Sequence, residues 1–125
     1  MRLLLDMHIY LWSLMDDPRL TKAARKLIVE AEEVYVSSAS IWEASIKIGL
    51  GKLEADIDLL VSEIDASGYL ELPVRALHAA LVRKLPDIHR DPFDRILVAQ
   101  AMSEPLRLMT SDSQLLKYTD LVIAV

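Results

Sequence analysis

RLLLDMHIYLWSLM, residues 2–15, decides the fold. Arg2 to Leu5 is a short apolar run suited to a buried strand, and from His8 to Met15 apolar residues keep helical spacing until Asp16-Asp17-Pro18 stops them. The rest of the chain repeats that alternation. Thr21 is a plausible N-cap for a helix Lys22–Ala31 with Ala24, Leu27, Ile28 and Ala31 in one stripe, and Val34–Val36 reads as a second strand. Ser38 or Ser40 opens a helix to about Ile48, which Gly49 and Gly51 end in left-handed conformations. Ile57–Ala66 is a helix closed by Gly68, Tyr69–Leu72 a strand before Pro73, and Arg75–Lys84 a helix. Asp91-Pro92 starts a helix Phe93–Met102, Arg107–Met109 is a fourth strand, Ser111 opens a short helix to about Tyr118, and Leu121–Val125 forms an edge strand. Short apolar strands alternating with amphipathic helices predict a three-layer α/β/α sandwich around a mostly parallel sheet of four to five strands.

Length and composition bound the rest. A chain of 125 residues, 53% hydrophobic, without linker-like or repetitive segments, predicts one domain over residues 1–125. There is no cysteine, which removes disulfides and thiolate metal sites and leads us to expect a cytoplasmic location. The apolar start is interrupted by Asp6 and His8, so neither a signal peptide nor a membrane span is expected. A net charge of −5 argues against a uniformly basic nucleic-acid surface but is compatible with a local basic rim and with clustered acids that bind cations.

In an open parallel sheet, ligands bind beyond the carboxyl ends of the strands. Asp6 follows the first strand, Glu43 lies one turn into the helix after the second, Asp94 is in the first turn of the helix before the fourth, and Asp112 lies just beyond the fourth. Each also has a structural reading. Ser40-Ile-Trp-Glu43 fits a capping box, Asp91-Pro-Phe-Asp94 fits an N-cap with Pro and an acid favoured by the helix dipole, and Ser111-Asp112 permits the same. Taken together, acids at one sheet edge raise one another's pKa unless a cation sits among them. Oxygen ligands alone favour Mg²⁺, with Mn²⁺ an alternative, and phosphodiester hydrolysis is the chemistry such an ion serves. A phosphotransferase using Asp6 as nucleophile is disfavoured, because Met7-His8 follows where an Asp-x-Asp pattern is needed.

LLLDMHIYLW, SSASIWEASIKIGLGKL, HRDPFDRILVAQA and LMTSD, in this order, resemble the four motifs of VapC-like toxins, the PIN-domain ribonucleases of toxin-antitoxin systems. The resemblance spans nearly the whole chain. It implies Mg²⁺- or Mn²⁺-dependent RNA cleavage, frequent homodimers, and inhibition by a cognate antitoxin. By position it implies that Asp6, Glu43, Asp94 and Asp112 are the catalytic and metal-binding residues, accompanied by Asp91. The family usually has Thr or Ser after the first aspartate. Met7 stands there instead, so the alternative is a PIN-fold binding module of weakened catalysis that acts through protein partners.

Arg90 and Arg95 flank the third motif and are candidates for RNA phosphate or for neutralising nearby acids, whereas Lys47 is expected to pair with Glu43 one turn away. His8 and His89 are not assigned as ligands, since an oxygen-rich site suits Mg²⁺ or Mn²⁺. Trp12 and Trp42 are expected in the core. Ile9, Leu11, Trp12 and Met15 are read as core, with an antitoxin contact as the other reading.

Overall fold

A computed structural model describes all 125 residues. Five strands, β1 (Arg2–Leu5), β2 (Glu33–Ser37), β3 (Leu70–Leu72), β4 (Arg107–Thr110) and β5 (Val122–Ala124), form one parallel sheet in the order β3-β2-β1-β4-β5. Six helices cover it: α1 (Met7–Met15), α2 (Lys22–Glu30), α3 (Ser38–Gly49), α4 (Ile57–Ala66), α5 (Ala76–Val82) and α6 (Pro92–Ser103). A short 3-10 helix, Ser113–Lys117, links β4 to β5.

The side-chain period of a strand divides the core into two layers. Leu3 and Leu5 of β1 join Val34, Val36 and Met109 under α1 and α4, while Leu4 turns the other way to meet Leu97, Val98 and Leu108 under α6. All three leucines of β1 are fully buried, as a central parallel strand covered on both faces requires. The expected α/β/α sandwich is thus the fold, and all five strands are parallel.

The order of strands locates the functional edge. From β1 the chain adds β2 and β3 on one side, then crosses back to place β4 and β5 on the other. The reversal falls between β1 and β4, so the crevice outside their carboxyl ends is where a ligand is expected. Asp6 N donates to Met109 O at 3.0 Å, which carries the β1–β4 ladder up to that crevice.

Several boundaries differ from the sequence reading. Gly49 is the last residue of α3 and only Gly51, at φ +72°, takes the left-handed conformation that the turn requires. Ser37, not Ser38 or Ser40, caps α3, its hydroxyl accepting from Ala39 N at 3.0 Å. The helix expected over Arg75–Lys84 stops at Val82, because Lys84 N and Leu85 N bond to Leu81 and Val82 carbonyls three residues back and tighten the chain out of α geometry. No helix is long and apolar enough to cross a membrane.

Candidate functional site

Three helix starts at the β1–β4 edge are built by acids. Asp6 Oδ1 accepts from Ile9 N at 2.8 Å and starts α1; Asp91 Oδ1 accepts from Phe93 N at 2.8 Å and starts α6; Asp112 Oδ1 accepts from Gln114 N at 3.0 Å and starts the 3-10 helix. Each of these carboxylates has a second oxygen. Capping and site-building are therefore not rival roles here, because capping occupies Oδ1 and leaves Oδ2 for other partners. The amide ends of the helices also favour negative charge at this edge.

Asp6, Glu43, Asp91, Asp94 and Asp112 line a single cavity of about 210 Å³, together with Met7, His8, Lys47 and Ser111. Neither Arg90 nor Arg95 is among the residues that line it. Arg95 instead donates to Pro86 O at 2.9 Å, Val82 O at 3.1 Å and the Tyr118 hydroxyl at 3.1 Å, so its guanidinium fastens the segment before α6.

Asp6 is only 6% exposed, and burial raises its pKa, partly opposed by hydrogen bonds from Thr110 and Ile9. The Thr110 hydroxyl donates to Asp6 Oδ2 at 2.6 Å and accepts from Asp112 N at 3.1 Å. One side chain thus joins the acids that follow β1 and β4. Met7 is 2% exposed and packs in the core while its edge meets the cavity. Asp6 obtains from Thr110 the hydroxyl that position 7 does not offer.

Glu43 is buried, with Lys47 Nζ 3.1 Å from its Oε2. The capping box with Ser40 does not form, and the buried Ser40 hydroxyl has no partner. Asp94 is pushed up to about 7, first by burial and then by Asp91, Asp6 and Glu43 around it. His89 Nε2 lies 2.9 Å from Asp112 Oδ2 and 3.6 Å from Asp94 Oδ2. Asp91 N donates to His89 Nδ1 at 3.0 Å, so the other ring nitrogen carries the proton and points it at Asp112. Lys47 is the one Lys or Arg side chain lining the cavity against five carboxylates.

This donor set fits a hard divalent cation. Oxygens dominate, helix starts hold them in place, and their mutual repulsion is what a cation relieves. One nitrogen is within reach: single ligand atoms of His89, Asp94 and Asp112 lie within 4.8 Å of one another. Sequence reasoning left His89 and Thr110 unassigned. The signal for Thr110 was its place at the carboxyl end of β4; for His89 there was only proximity to Asp91.

Trp42 corrects another expectation. It is 63% exposed, its ring meeting that of Phe93 edge to face at 5.2 Å between centroids. The buried face of α3 is formed by Ala39, Ser40, Glu43 and Ala44, and Trp42 lies off it. Ile9 and Leu11 are core as expected, Trp12 is partly buried under Arg19, and Met15 is exposed.

The model of the family described as PIN domain matches residues 3–121. The chain belongs to the PIN-domain family. This PIN domain is 29% identical over 117 residues to Ribonuclease VapC22 of Mycobacterium tuberculosis (strain ATCC 25618 / H37Rv), spanning 90% of this chain and 88% of that relative. Its fold is similar to that in VapBC2 from Rickettsia felis bound to a DNA fragment from their promoter, with a TM-score of 0.69, 16% identity, and coverage of 100% of this chain and 98% of that one. A toxin-antitoxin complex from Klebsiella pneumoniae matches with a TM-score of 0.65, 16% identity, and coverage of 97% and 95%. At these identities the structural likeness concerns the fold.

Proposed function

We propose that this PIN domain is a metal-dependent endoribonuclease, the toxin of a toxin-antitoxin pair. The observation that carries the reading is the convergence of Asp6, Glu43, Asp94 and Asp112 on one cavity at the β1–β4 edge. Membership of the family and the relative named as a ribonuclease support the reaction class.

Asp6, Asp94 and Asp112 would hold Mg²⁺ or Mn²⁺, with Glu43 and Asp91 completing the charge around it. Such an ion offsets charge on a phosphodiester and lowers the pKa of water. The chain's own groups do the rest. Thr110 and Ile9 N fix Asp6 with both oxygens engaged, so it enters the reaction already oriented. Lys47 holds the Glu43 carboxylate toward the cavity and limits its rotation. Hydrolysis forms a bond from water oxygen to phosphorus and breaks the bond to the 3′ oxygen. That oxygen takes up a proton, leaving 5′-phosphate and 3′-hydroxyl ends, and no protein nucleophile is required.

Arg90 is assigned to substrate phosphate, whereas Arg95 is assigned to positioning the loop that carries His89 and Asp91, given its carbonyl partners. A cognate antitoxin belongs to the same reading, supported by the toxin-antitoxin complexes among the structural neighbours, and a homodimer and a cytoplasmic location are proposed with it. The reading of a non-cleaving binding module rests on Met7; the Thr110 hydroxyl on Asp6 supports the cleaving form, and the RNA assay below separates the two.

The test is incubation of purified protein with total RNA under matched Mg²⁺ or Mn²⁺, followed by mapping of the ends. Wild type is expected to cut and Asp94→Asn to lose cleavage at least a hundredfold (about 10²). Cleavage by Asp94→Asn at the wild-type rate would sink the assignment.

A further inference from the structure

One imidazole reaches in among the carboxylates of the crevice. His89 Nε2 is 2.9 Å from Asp112 Oδ2 and 3.6 Å from Asp94 Oδ2, close enough for the three side chains to share one cation. Neutral imidazole is a common metal ligand, so distance alone would put His89 in the coordination shell beside the two acids. The position of its proton decides otherwise.

His89 is held at each of its polar atoms. Its backbone N donates to the Tyr118 hydroxyl at 2.8 Å, its carbonyl accepts from Arg95 Nη1 at 3.4 Å, and its Nδ1 accepts from Asp91 N at 3.0 Å. A backbone amide is always a donor, so Nδ1 keeps its lone pair for Asp91 and Nε2 carries the hydrogen. A nitrogen that carries hydrogen has no lone pair for a cation. It donates instead, and the acceptor in front of it is Asp112 Oδ2 at 2.9 Å. Asp112 Oδ1 is engaged by Gln114 N at 3.0 Å, so the carboxylate is gripped from two directions and its plane is set. The hydrogen from His89 occupies one lone pair of Oδ2 and leaves the other for a cation. Asp91, whose amide orients the ring, caps α6, and the same helix carries Asp94. The ring thus ties the start of α6 to the acid beyond β4.

We propose that His89 is a positioning residue of the metal centre: its Nε2–H aims Asp112 at the cation from outside the coordination shell, which is left to oxygens. This rests on the metal-dependent reading above and specifies which ions the site selects. A nitrogen ligand would favour later transition metals such as Zn²⁺, whereas a shell of oxygens suits Mg²⁺ and Mn²⁺. Removing an outer hydrogen bond of this kind typically weakens metal binding by about 10- to 100-fold, because the freed carboxylate has to be brought back from other rotamers each time the ion binds. Both ions should suffer equally, since the bond acts on Asp112 and not on the metal.

Two substitutions separate the two ring nitrogens. His89→Asn keeps an acceptor near the Nδ1 position for Asp91 N and removes the donor to Asp112, whereas His89→Gln reaches the Nε2 position with an amide N–H. The full chain is titrated calorimetrically with Mn²⁺ and with Mg²⁺, without RNA, and the electron spin-echo modulation of bound Mn²⁺ is recorded. Wild type is expected to show no nitrogen coupling of the size that a directly bound imidazole gives. His89→Asn should weaken both ions by about tenfold and by the same factor, and His89→Gln should recover most of that loss. A nitrogen coupling of imidazole size in wild type overturns the proposal, and this measurement needs no variant to fold. Unchanged Mn²⁺ affinity in His89→Asn overturns it in favour of a purely structural role, as does a loss that His89→Gln fails to recover. A loss confined to Mn²⁺ overturns it in favour of direct ligation. In each of these cases the metal-dependent reading stands, and a wild type that binds neither ion overturns both.

Discussion

Burial and the neighbouring Asp91, Asp6 and Glu43 carboxylates push Asp94 up to about 7, against an ordinary 3.8. The folded protein therefore holds this proton more tightly than the unfolded chain does. The stability that comes from the tighter hold is fully present below 3.8 and is lost as pH rises through about 7, amounting to roughly 4 kcal/mol when integrated over that window. Without metal, the melting temperature should fall between about pH 5 and about pH 8. Mg²⁺ or Mn²⁺ should raise it more at the upper pH, where no proton competes, and calorimetry at both values checks the sign. Asp94→Asn should melt several degrees above metal-free wild type at the upper pH, and should lose most of the metal-induced rise. Thr110 makes a second prediction. Thr110→Val removes the 2.6 Å bond to buried Asp6 and should cost about 2 kcal/mol in urea unfolding, with Thr110→Ser retaining most of it. The acids of the site were legible in the sequence, but each came with a capping explanation. The structure shows why spacing could not decide: Asp6, Asp91 and Asp112 cap with Oδ1, leaving Oδ2 for the cavity or for Thr110 and His89. Thr110 and His89 stayed unassigned because their partners are far away in the chain, and spacing reports only neighbours.

At the scale of elements, the segment between α5 and α6 carries His89 and Asp91, and Arg95 holds it from the first turn of α6 through the Pro86, Val82 and His89 carbonyls and the Tyr118 hydroxyl. Arg95→Ala should lower the melting temperature, speed amide exchange over residues 83–91, and weaken Mn²⁺ binding. Arg95→Lys should not rescue these effects, because an ammonium lacks the planar fork that reaches several acceptors at once. A change in RNA affinity with exchange and metal binding unaltered would return Arg95 to the substrate surface. Strands and helices were readable throughout, since β1 and β4 each carry an apolar core, Leu3–Leu5 and Leu108-Met109, and α1 to α4 keep helical spacing. What failed were ends and faces. Helix α3 starts one residue early because Ser37 is both the last residue of β2 and the cap, and Trp42 looked like core because nothing in the sequence states which side of a helix lacks a neighbour.

For the whole molecule, a net charge of −5 sets a long-range field that repels a polyanion, so RNA has to be met by local cations. With Lys52 and Arg90 as the unpaired pair beside the acidic cavity, RNA affinity should decline with salt at a log–log slope of about −1.4 at fixed Mg²⁺. A much steeper slope, read by fluorescence anisotropy across a salt series, would point to a basic surface elsewhere. The sheet order has a further consequence, which concerns the making of the protein. Thr110 and its partner Asp6 are 104 residues apart, and β1 cannot pair with β4 until β4 has been synthesised and has left the ribosome. Until then β1 is an edge strand, Asp6 lacks its hydroxyl, and half of the crevice has no wall. A chain whose β4 has not yet emerged therefore lacks the complete crevice, so the order of synthesis delays assembly of the site in a chain whose proposed target is RNA.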